Sequence, residues 1–531
     1  MVVVNLILTV IVMMATQIQG YVQQVNLPPS EESYKILFMV PGNFPSHVKI
    51  ILTVATALAD RGHQISVIGG SLATQHPNIT YLYNPDFSEA IKKYKYFDTA
   101  GDGWKHIEHT RNLIASAFES AYASEEFMDV YRRRKEFDLM VVDHLALIGL
   151  APFLHESPFI IYCTTMLNPL QSANIGNIHS PAVLSSSVTD YRQPYSALDR
   201  LRNLFATLAF AVIWSIILRS KVDSEVISKR FPDVPSSYEL EKNASLTLIN
   251  THFSLDGPIP LLPNQVMVAG MLLRPERPLP EKIDSFVRGN ASTILFSTGT
   301  FIRLNTMPKK LKEMFFSVFS KLPYKIVMKY HAEPGEFTNV TNIHFLDWIP
   351  QSDILAHANT KLFISHCGVN GVQEAVYYGV PMICIPVQGD HHKMAEMVHH
   401  RGLGIRLEWK KFSEEILNQS IHEIITNTSY RDKVHEVSLM WRDQMESPLQ
   451  RAVYWVEYVA RFRGAPHLRS PAMDLSLIQI FYLDLLLVIH LFMYVTYRIV
   501  FRRPSFHFSS MYRNLKRFFG FSQEGARLKI E

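Results

Sequence analysis

Residues 361–385 of this chain, KLFISHCGVNGVQEAVYYGVPMICI, contain a strand–helix–strand pattern that indicates the fold class. This stretch begins with a short apolar run, passes through a glycine-containing turn into a helical segment from Val369 to Tyr378, and ends in a second apolar run. Two such runs separated by a helix are typical of adjacent buried strands in a βαβ unit. The stretch therefore predicts an α/β domain with a parallel sheet.

The same alternation of strand and helix extends in both directions and forms two separate groups. The later group also contains strands at Thr293–Ser297 and Lys325–Met328 around a helix from Met307 to Lys321. The earlier group contains strands at 34–40, 64–68, 137–143 and 159–162, with a helix at 47–60. A proline-rich stretch, Pro258 to Pro280, separates the two groups. This pattern predicts two Rossmann-like domains facing a cleft, at residues 21–262 and 263–470.

Composition excludes several classes of protein. The chain has 531 residues, which is too long for one ordinary core, and 47% of them are hydrophobic, which excludes a disordered chain. Its net charge is only +4 and the basic residues of the body are dispersed, so no nucleic-acid partner is expected. The three cysteines have no paired spacing, which argues against a disulfide framework or a cysteine-ligated zinc site.

Both ends of the chain carry targeting signals. Residues 1–20 contain an apolar run and predict a signal peptide, and residues 475–497 are long and apolar enough for a transmembrane helix. The basic tail, 498–531, then lies in the cytoplasm and the body in the lumen. Sequons at Asn78, Asn243, Asn290, Asn339, Asn418 and Asn427 agree with a lumenal body. With Arg527 and Lys529 near the end, the pattern predicts a single-pass type I protein of the endoplasmic reticulum membrane.

The run from Phe345 to His391 closely resembles the signature of the UDP-glycosyltransferase family, including its internal spacings. Weaker likeness extends from about Tyr34 to the tail. The resemblance implies a GT-B fold and transfer of a sugar from a UDP-sugar to a small lipophilic acceptor. It implies no cofactor beyond the UDP-sugar co-substrate. The expected partners are that donor, the acceptor and the lipid bilayer, and a homo-oligomer is left open.

Donor-binding residues follow from this run. A Trp348 side chain could stack on uracil, and Gln351 could hydrogen-bond the uridine; the alternative for Trp348 is a buried core position. The helix that begins after His366 offers N–H groups to a diphosphate, and Gly368 permits close backbone approach. His366 and Asn370 add side-chain donors, and Glu374 could accept from the ribose. By resemblance, the predicted phosphate contacts also include Ser297, Gly299 and Thr300.

Two departures from the family pattern concern the sugar. Asp390 and His391 are expected to face the sugar hydroxyls, where the family usually has Asp-Gln, and this form resembles the ceramide galactosyltransferase branch. Ile259 stands where glucuronosyl-transferring members have an Arg that pairs with the uronate. Because losing a cation opposite a carboxylate is costly, a neutral hexose is expected.

The catalytic pair is expected in the first domain. His47 aligns with the family's catalytic histidine and would take a proton from the acceptor hydroxyl, since an imidazole titrates near neutral pH. Asp143, at the end of a strand, matches the carboxylate partner that orients the ring. The chain has no Asp-x-Asp pair, so we expect an inverting reaction that is independent of metal.

Several alternatives remain at this stage. The leading hypothesis is transfer of glucose to an alcohol, phenol or acid. The second hypothesis is galactosylation of a sphingolipid, and the third is a non-catalytic membrane protein that binds a nucleotide sugar. The apolar run Leu204 to Leu218 fits a core helix and a helix on the lipid surface equally well.

Overall fold

The computed structural model describes residues 27–501 except 29, 41–44, 70–74, 84–102, 301, 303, 331–339, 409–410 and 412. The predicted signal peptide, almost all of the predicted basic tail and the sequon at Asn339 lie outside these residues. The five other sequon asparagines are all exposed. The body, through Ser470, is one compact unit.

The first half of the body is built on a parallel sheet. Its strands among the described residues are β1 (Lys35–Met39), β2 (Gln64–Ile68), β3 (Ile79–Tyr83), β4 (Leu139–Asp143), β5 (Phe159–Cys163), β6 (Leu246–Ile249) and β7 (Gln265–Met267). They lie in the order β3-β2-β1-β4-β5-β6-β7, with every pairing parallel. The order reverses between β1 and β4, the position at which ligands bind in doubly wound sheets.

The second half repeats the arrangement. Its strands are β8 (Thr293–Ser297), β9 (Lys325–Lys329), β10 (Ile343–Leu346), β11 (Thr360–Ser365), β12 (Met382–Cys384) and β13 (Gly404–Arg406). The order is β10-β9-β8-β11-β12-β13, again parallel throughout. The reversal here falls between β8 and β11. Two doubly wound α/β halves are therefore confirmed.

Helices cover both faces of each sheet. In the first half they are α1 (Pro45–Asp60), α2 (Gly103–Ala123), α3 (Glu125–Arg132), α4 (Leu147–Leu154), α5 (Pro169–Asn174), α6 (Ala197–Arg230), α7 (Ser237–Glu241) and α8 (Phe253–Asp256). In the second half they are α9 (Glu281–Val287), α10 (Lys309–Lys321), α11 (Gln351–Ala356), α12 (Val369–Tyr377), α13 (Asp390–His400), α14 (Glu414–Thr426), α15 (Thr428–Arg442) and α16 (Pro448–Arg461). Short 3₁₀ turns occur at Arg134–Glu136, Leu304–Thr306 and Pro466–Leu468.

Strand β1 shows why the strands read as continuous apolar runs. Ile36 and Phe38 belong to the core on one face of the sheet, and Leu37 and Met39 belong to the core on the other. All four side chains have no exposed surface. Side chains alternate along a strand, and a sheet covered by helices on both faces buries every one of them.

The predicted boundary between residues 262 and 263 is wrong in two respects. Strand β7 lies beyond it yet pairs with β6 in the first sheet. Helix α16 returns to the first half, where Val453 and Val456 pack in the same core as α1. Glu457 of α16 accepts from Arg61 at 2.5 Å and lies 3.0 Å from Nε2 of the buried His63. Short contiguous apolar runs predict strands, but a helix that crosses back between domains leaves no local sequence mark.

Helix α6 has one buried and one exposed apolar face. It is 34 residues long and is π-helical at Ile213–Leu218 and Val222–Ile227. Trp214 and Leu218 pack in the core of the first half. The opposite face carries large apolar side chains that are 40–63% exposed: Leu198, Leu201, Leu204, Phe205, Leu208, Val212 and Ile216. Apart from the adjacent Leu204 and Phe205, successive residues of this set are three to four positions apart, which places them along one side of the helix.

The described chain from Pro471 onward forms a separate unit. It contains a 3₁₀ turn (Pro471–Asp474), α17 (Leu477–Ile480), which Ser476 and Gln479 cap reciprocally, and α18 (Leu483–Val500). Helix α18 has the length and composition to cross a membrane. The continuous helix predicted from residue 475 is therefore corrected: it begins at Leu483, after Tyr482 in the left-handed conformation.

Candidate active site

The two predicted catalytic side chains are in contact. His47 lies in the first turn of α1, which follows β1, and Asp143 is the last residue of β4, so the pair occupies the reversal point of the first sheet. His47 Nδ1 is 2.8 Å from Asp143 Oδ2. The His47 side chain is 14% exposed and that of Asp143 is 5% exposed. The strand order brings together two residues that are 96 positions apart.

Thr164 and His144 lie beside His47 and Asp143, and neither was predicted from the sequence. The Thr164 hydroxyl, directly after β5, lies 2.7 Å from His47 Nδ1 and donates to Asp143 Oδ2 at 3.1 Å. His144 is buried and its ring stacks near that of His47, with centroids 6.3 Å apart. The signal that could have found them is their place at the carboxyl ends of β4 and β5, where ligand-binding residues of such sheets collect.

Contact with Asp143 sets the protonation of His47. Burial lowers the pKa of His47, but Asp143 and then Asp390 of the second half raise it, and the net pKa is above the ordinary 6.5. Burial opposes ionisation of Asp143, yet His47, His144 and the N–H of Leu145 hold the pKa of that carboxyl at about 2. Asp143 is therefore ionised at neutral pH and fixes the proton of His47 on Nδ1, so Nε2 is the ring nitrogen that can accept a proton.

Opposite this pair, the ring of His366 lies between two glycines. A Cβ at Gly299 would be 2.6 Å from His366 Cε1, and a Cβ at Gly368 would be 2.7 Å from His366 Nε2. Gly299 also has φ of +77°, which side chains rarely adopt. The two glycines follow β8 and β11 and are needed to seat the imidazole at the reversal point of the second sheet.

His366 is neutral in this setting. Burial lowers its pKa well below 6.5, and the nearby His391 and Lys329 lower it further, against the opposing effect of Asp390. The ring of His391 meets that of His366 edge-on, with centroids 4.6 Å apart. Asp390 begins α13, and burial raises the pKa of its carboxyl. Asp390 acts on the pKa values of both His366 and His47, so it faces the cleft between the two halves.

Trp348 is exposed, not a core residue. Its side chain is 65% exposed beyond the end of β10. Lys329, the last residue of β9, lies over the indole at 5.1 Å from the centroid and donates to the carbonyl of Gly299 at 2.7 Å. Lys329 is a further residue that the sequence reasoning missed. A cation at the carboxyl end of a strand beside a predicted phosphate turn was the available signal.

Gln351 and Glu374 contact each other rather than standing apart. Gln351 Nε2 donates to Glu374 Oε2, and Ser352 Oγ donates to Glu374 Oε1 at 2.5 Å. The first turn of α11 and the middle of α12 are thereby joined. Two donors therefore orient the Glu374 carboxylate. That Gln351 and Glu374 contact the nucleoside stays a prediction.

The remaining predicted donor residues lie around the same strand ends. Ser297 is buried at the end of β8 and its hydroxyl accepts from the N–H of Gly299 at 3.2 Å. Thr300 is exposed in the turn that follows. Asn370 lies in the first turn of α12, and its Oδ1 accepts from Asn250 Nδ2 of the first half at 3.1 Å. The structure therefore brings the predicted donor residues to one edge of the second sheet.

Two of the three cysteines form a disulfide, although their spacing in the sequence did not indicate a pair. Cys367 and Cys384 form a disulfide with their Cα atoms 5.4 Å apart, and Cys163 is free and buried. Cys367 lies in the turn between His366 and Gly368, and Cys384 ends the neighbouring strand β12. A spacing of 17 residues gave no sign of this, because parallel neighbouring strands create the contact.

The comparisons with known proteins agree with this geometry. The family model described as "UDP-glucoronosyl and UDP-glucosyl transferase" matches residues 36–518. The chain belongs to this family. As a UDP-glycosyltransferase it is an enzyme that transfers a sugar from a UDP-sugar.

Relatives of this UDP-glycosyltransferase differ in the sugar that their names specify. A UDP-glycosyltransferase of Dactylopius coccus is 30% identical over 486 residues, which cover 86% of this chain and 88% of that protein. The human 2-hydroxyacylsphingosine 1-beta-galactosyltransferase is 29% identical over 475 residues (86% and 85%). The rabbit UDP-glucuronosyltransferase 2B14 is 30% identical over 398 residues (73% and 71%).

Solved structures show the fold. A UDP-glucosyltransferase from Polygonum tinctorium capable of glucosylating indoxyl aligns with a TM-score of 0.54 at 15% identity, covering 81% of this chain and 99% of that one. A glycotransferase of kitacinnamycin aligns with a TM-score of 0.53 at 16% identity, with the same coverage. The GT-B arrangement expected from the sequence is confirmed.

Proposed function

We propose that this UDP-glycosyltransferase moves glucose, with inversion and without a metal ion, onto a hydroxyl of a small lipophilic acceptor. The observation that carries the proposal is the His47–Asp143 pair of the first half facing Asp390 and His366 of the second. A base on one side of a cleft and a diphosphate site on the other are what a single displacement at an anomeric carbon requires.

The proposed chemistry begins at His47. Its Nε2 takes the proton of the acceptor hydroxyl while the oxygen attacks the anomeric carbon of an α-linked UDP-sugar, and the bond to the diphosphate breaks. Asp143 holds Nδ1–H and stabilises the imidazolium that forms. The departing UDP keeps the bonding electron pair, and its added negative charge lies at the N-terminus of α12 beside His366. Attack from the opposite face gives a β-glycoside.

The sugar is proposed to be a neutral hexose. Ile259 packs against the core of the first half together with Leu261, so this position offers no charge to a uronate. Galactosylation of a sphingolipid is the second candidate. It is favoured by the Asp390–His391 pair in place of Asp-Gln, and by the likeness to the human galactosyltransferase.

Metal independence is proposed because the chain supplies other groups for the diphosphate. The N–H groups of the first turn of α12 and the dipole of that helix favour an anion, and Lys329 adds a positive charge near Gly299. These groups do the work that a bridging cation does in enzymes with an Asp-x-Asp pair. Chelator-resistant transfer is the expected result.

Two segments are proposed to meet the lipid bilayer of the endoplasmic reticulum. Helix α18 would span it as the anchor of a type I protein with the body in the lumen, since a mostly apolar helix of 18 residues reaches across most of a ~30 Å hydrocarbon core. The exposed apolar stripe of α6 would rest on the lipid surface. Photolabelling of microsomes with a lipid-soluble reagent, followed by peptide mapping, tests both. Label in α6 and α18 but not in α14 supports the proposal.

A donor screen tests the transfer itself. Microsomes that contain the full chain are incubated with UDP-glucose, UDP-galactose, UDP-N-acetylglucosamine or UDP-glucuronate and a panel of phenols and sphingolipids, with and without chelator. Glucosylation of phenols that survives the chelator supports the proposal. Galactosylation of sphingolipid alone replaces it with the second candidate, and glucuronidation contradicts the role given to Ile259.

A further inference from the structure

Three buried or half-buried amides connect the halves of the body at the cleft. Asn250 follows β6 of the first half and is 2% exposed. Its Nδ2 donates to the carbonyl of Thr164 at 2.8 Å and to Oδ1 of Asn370 at 3.1 Å. Gln373, one turn further along α12 and 4% exposed, donates to Asn250 Oδ1 at 3.0 Å and to its backbone carbonyl at 3.2 Å.

These contacts fix which way each amide points. An asparagine has an acceptor oxygen on one branch and a two-proton donor on the other, and its neighbours decide the orientation. The Thr164 carbonyl can only accept, so it requires Nδ2 of Asn250 on its side. The Gln373 amide group requires Oδ1 of Asn250 on the other side. Asn250 therefore presents a donor to Asn370 and holds the oxygen of that side chain.

The consequence falls on Asn370. With its Oδ1 held by Asn250, its Nδ2 occupies the other branch of the amide, in the first turn of α12 where the helix N–H groups favour an anion. If the Asn370 amide were flipped, its oxygen would face the diphosphate instead. The lone pairs of that oxygen would repel the negatively charged phosphate oxygens. A residue of the first half thus decides whether a residue of the second half can donate to the donor substrate.

We propose that Asn250 is a positioning residue for the UDP-sugar: it fixes the Asn370 amide so that its N–H groups face the diphosphate. The inference rests on the proposed donor site at α12. Because Asn250 also holds the Thr164 carbonyl, and the Thr164 hydroxyl contacts both Asp143 and His47, the same amide ties the diphosphate site to the segment that carries the base.

The test uses the full chain in detergent or microsomes. Asn250→Asp keeps the volume and an oxygen facing Gln373 but removes both donors. We expect the KM for UDP-sugar and the Kd for UDP to rise about 10- to 100-fold, the range for a hydrogen bond to a charged group, with a smaller change in kcat. Asn370→Ala should raise the same constants, and the double variant should be no worse than Asn370→Ala alone, because both changes remove one interaction.

Controls separate positioning from folding. Asn174→Ala removes a buried amide of the same half, one that donates to Glu241 at 2.7 Å, and should leave the KM for UDP-sugar within about twofold of the wild type. If Asn250→Asp does not fold, Asn250→Ala serves instead, since it removes both donors of that amide without adding a charge. A folded Asn250→Asp or Asn250→Ala enzyme with wild-type UDP affinity overturns the proposal, as does a double variant whose effects multiply.

Wild-type binding of UDP is measured first. If the wild type binds UDP and transfers sugar while the variants bind equally well, the role of Asn250 is wrong and the proposed function stands. If the wild type does not bind UDP, both fail.

Discussion

The imidazole of His366 lies directly against the backbone of Gly299, so close that a Cβ at residue 299 would stand 2.6 Å from Cε1. The two residues follow neighbouring strands, β8 and β11, that are separated by more than sixty positions in the chain. Close packing therefore positions His366 in the predicted donor site as much as hydrogen bonding does.

Gly299→Ala should weaken donor binding. The new methyl group must push His366 out of its seat, and φ of +77° adds about 1–3 kcal/mol of backbone strain. We expect the KM for UDP-sugar to rise at least about tenfold. Gly402→Ala is the matched control, because Gly402 has φ of +69° in the same half but nothing within 4 Å of the methyl group that the substitution adds. Equal effects on KM in the two variants would contradict the role of His366.

His47→Ala should remove the base while leaving the donor site intact. General base catalysis contributes about 10²–10⁴-fold, so kcat should fall by that factor with the affinity for UDP unchanged. His422→Ala removes an exposed histidine of α14 and should behave as the wild type. Initial rates and UDP binding by calorimetry check both variants. A wild-type kcat in the His47→Ala enzyme would show that His47 is not the general base.

Asp143→Asn should move the pH profile. In the wild type, kcat/KM rises with pH as His47 loses its proton, with a midpoint above 6.5 because Asp143 and Asp390 raise that pKa. Without the Asp143 charge, burial dominates and lowers the pKa of His47. The acid limb should shift to lower pH while kcat at pH 8 falls about 10²-fold or more, since the ring is no longer held in one tautomer. If the acid limb of the pH profile does not move in Asp143→Asn, a group other than His47 is responsible for that limb.

Trp348→Ala should raise the KM for UDP-sugar about 5- to 150-fold, the equivalent of losing ~1–3 kcal/mol of base stacking. Because the side chain is 65% exposed, the free energy of unfolding should change little. Trp348→Phe should retain part of the affinity. Trp104→Ala is the control, since that indole is similarly exposed at 62%. An unchanged KM in Trp348→Ala would show that uracil does not stack on Trp348.

Asp256→Asn should stabilise the enzyme above pH 6. Burial raises the pKa of Asp256 to about 6 from 3.8, although the N–H of His252 and the charges of Lys393 and Arg401 oppose it, and Asp190 adds to the shift. The folded state therefore binds the proton more tightly, so this group's contribution to stability is present below pH 3.8 and is lost as pH rises through 6.

Replacing that carboxylate should raise the free energy of unfolding by about 1–3 kcal/mol at pH 7.5 and leave it unchanged at pH 3.5. Denaturant titrations at the two pH values measure the difference. The control Asp60→Asn changes a half-exposed carboxylate and should not raise the free energy of unfolding at pH 7.5, because no buried carboxylate is removed. A destabilised Asp256→Asn at pH 7.5 would show that Lys393 and Arg401 outweigh the burial.

Particular residues show how far the sequence reaches. His47, Asp143, His366 and Gly299 were predicted because each stands near the end of a strand and matches a residue of the family that the sequence resembles. Thr164, Asn250 and Lys329 occupy equivalent places but carry no motif, so nothing in the linear order distinguished them. The Gln351–Glu374 contact and the Cys367–Cys384 pair arise from neighbouring elements of the second sheet, and their partners can be read only from the fold.

The fold class could be predicted from apolar periodicity and local strand–turn–helix signals, which are short-range properties of the chain, and the family and the residue types at the site from the motif between Phe345 and His391. The contacts between distant parts of the chain could be found only in the tertiary structure: the position of His366 between Gly299 and Gly368, the return of α16 to the first half, and the amides that join Asn250 to Asn370. Those contacts depend on strand order and on the packing of two halves, and hydrogen bonds and van der Waals contacts are set by distances of a few ångströms that no local pattern encodes.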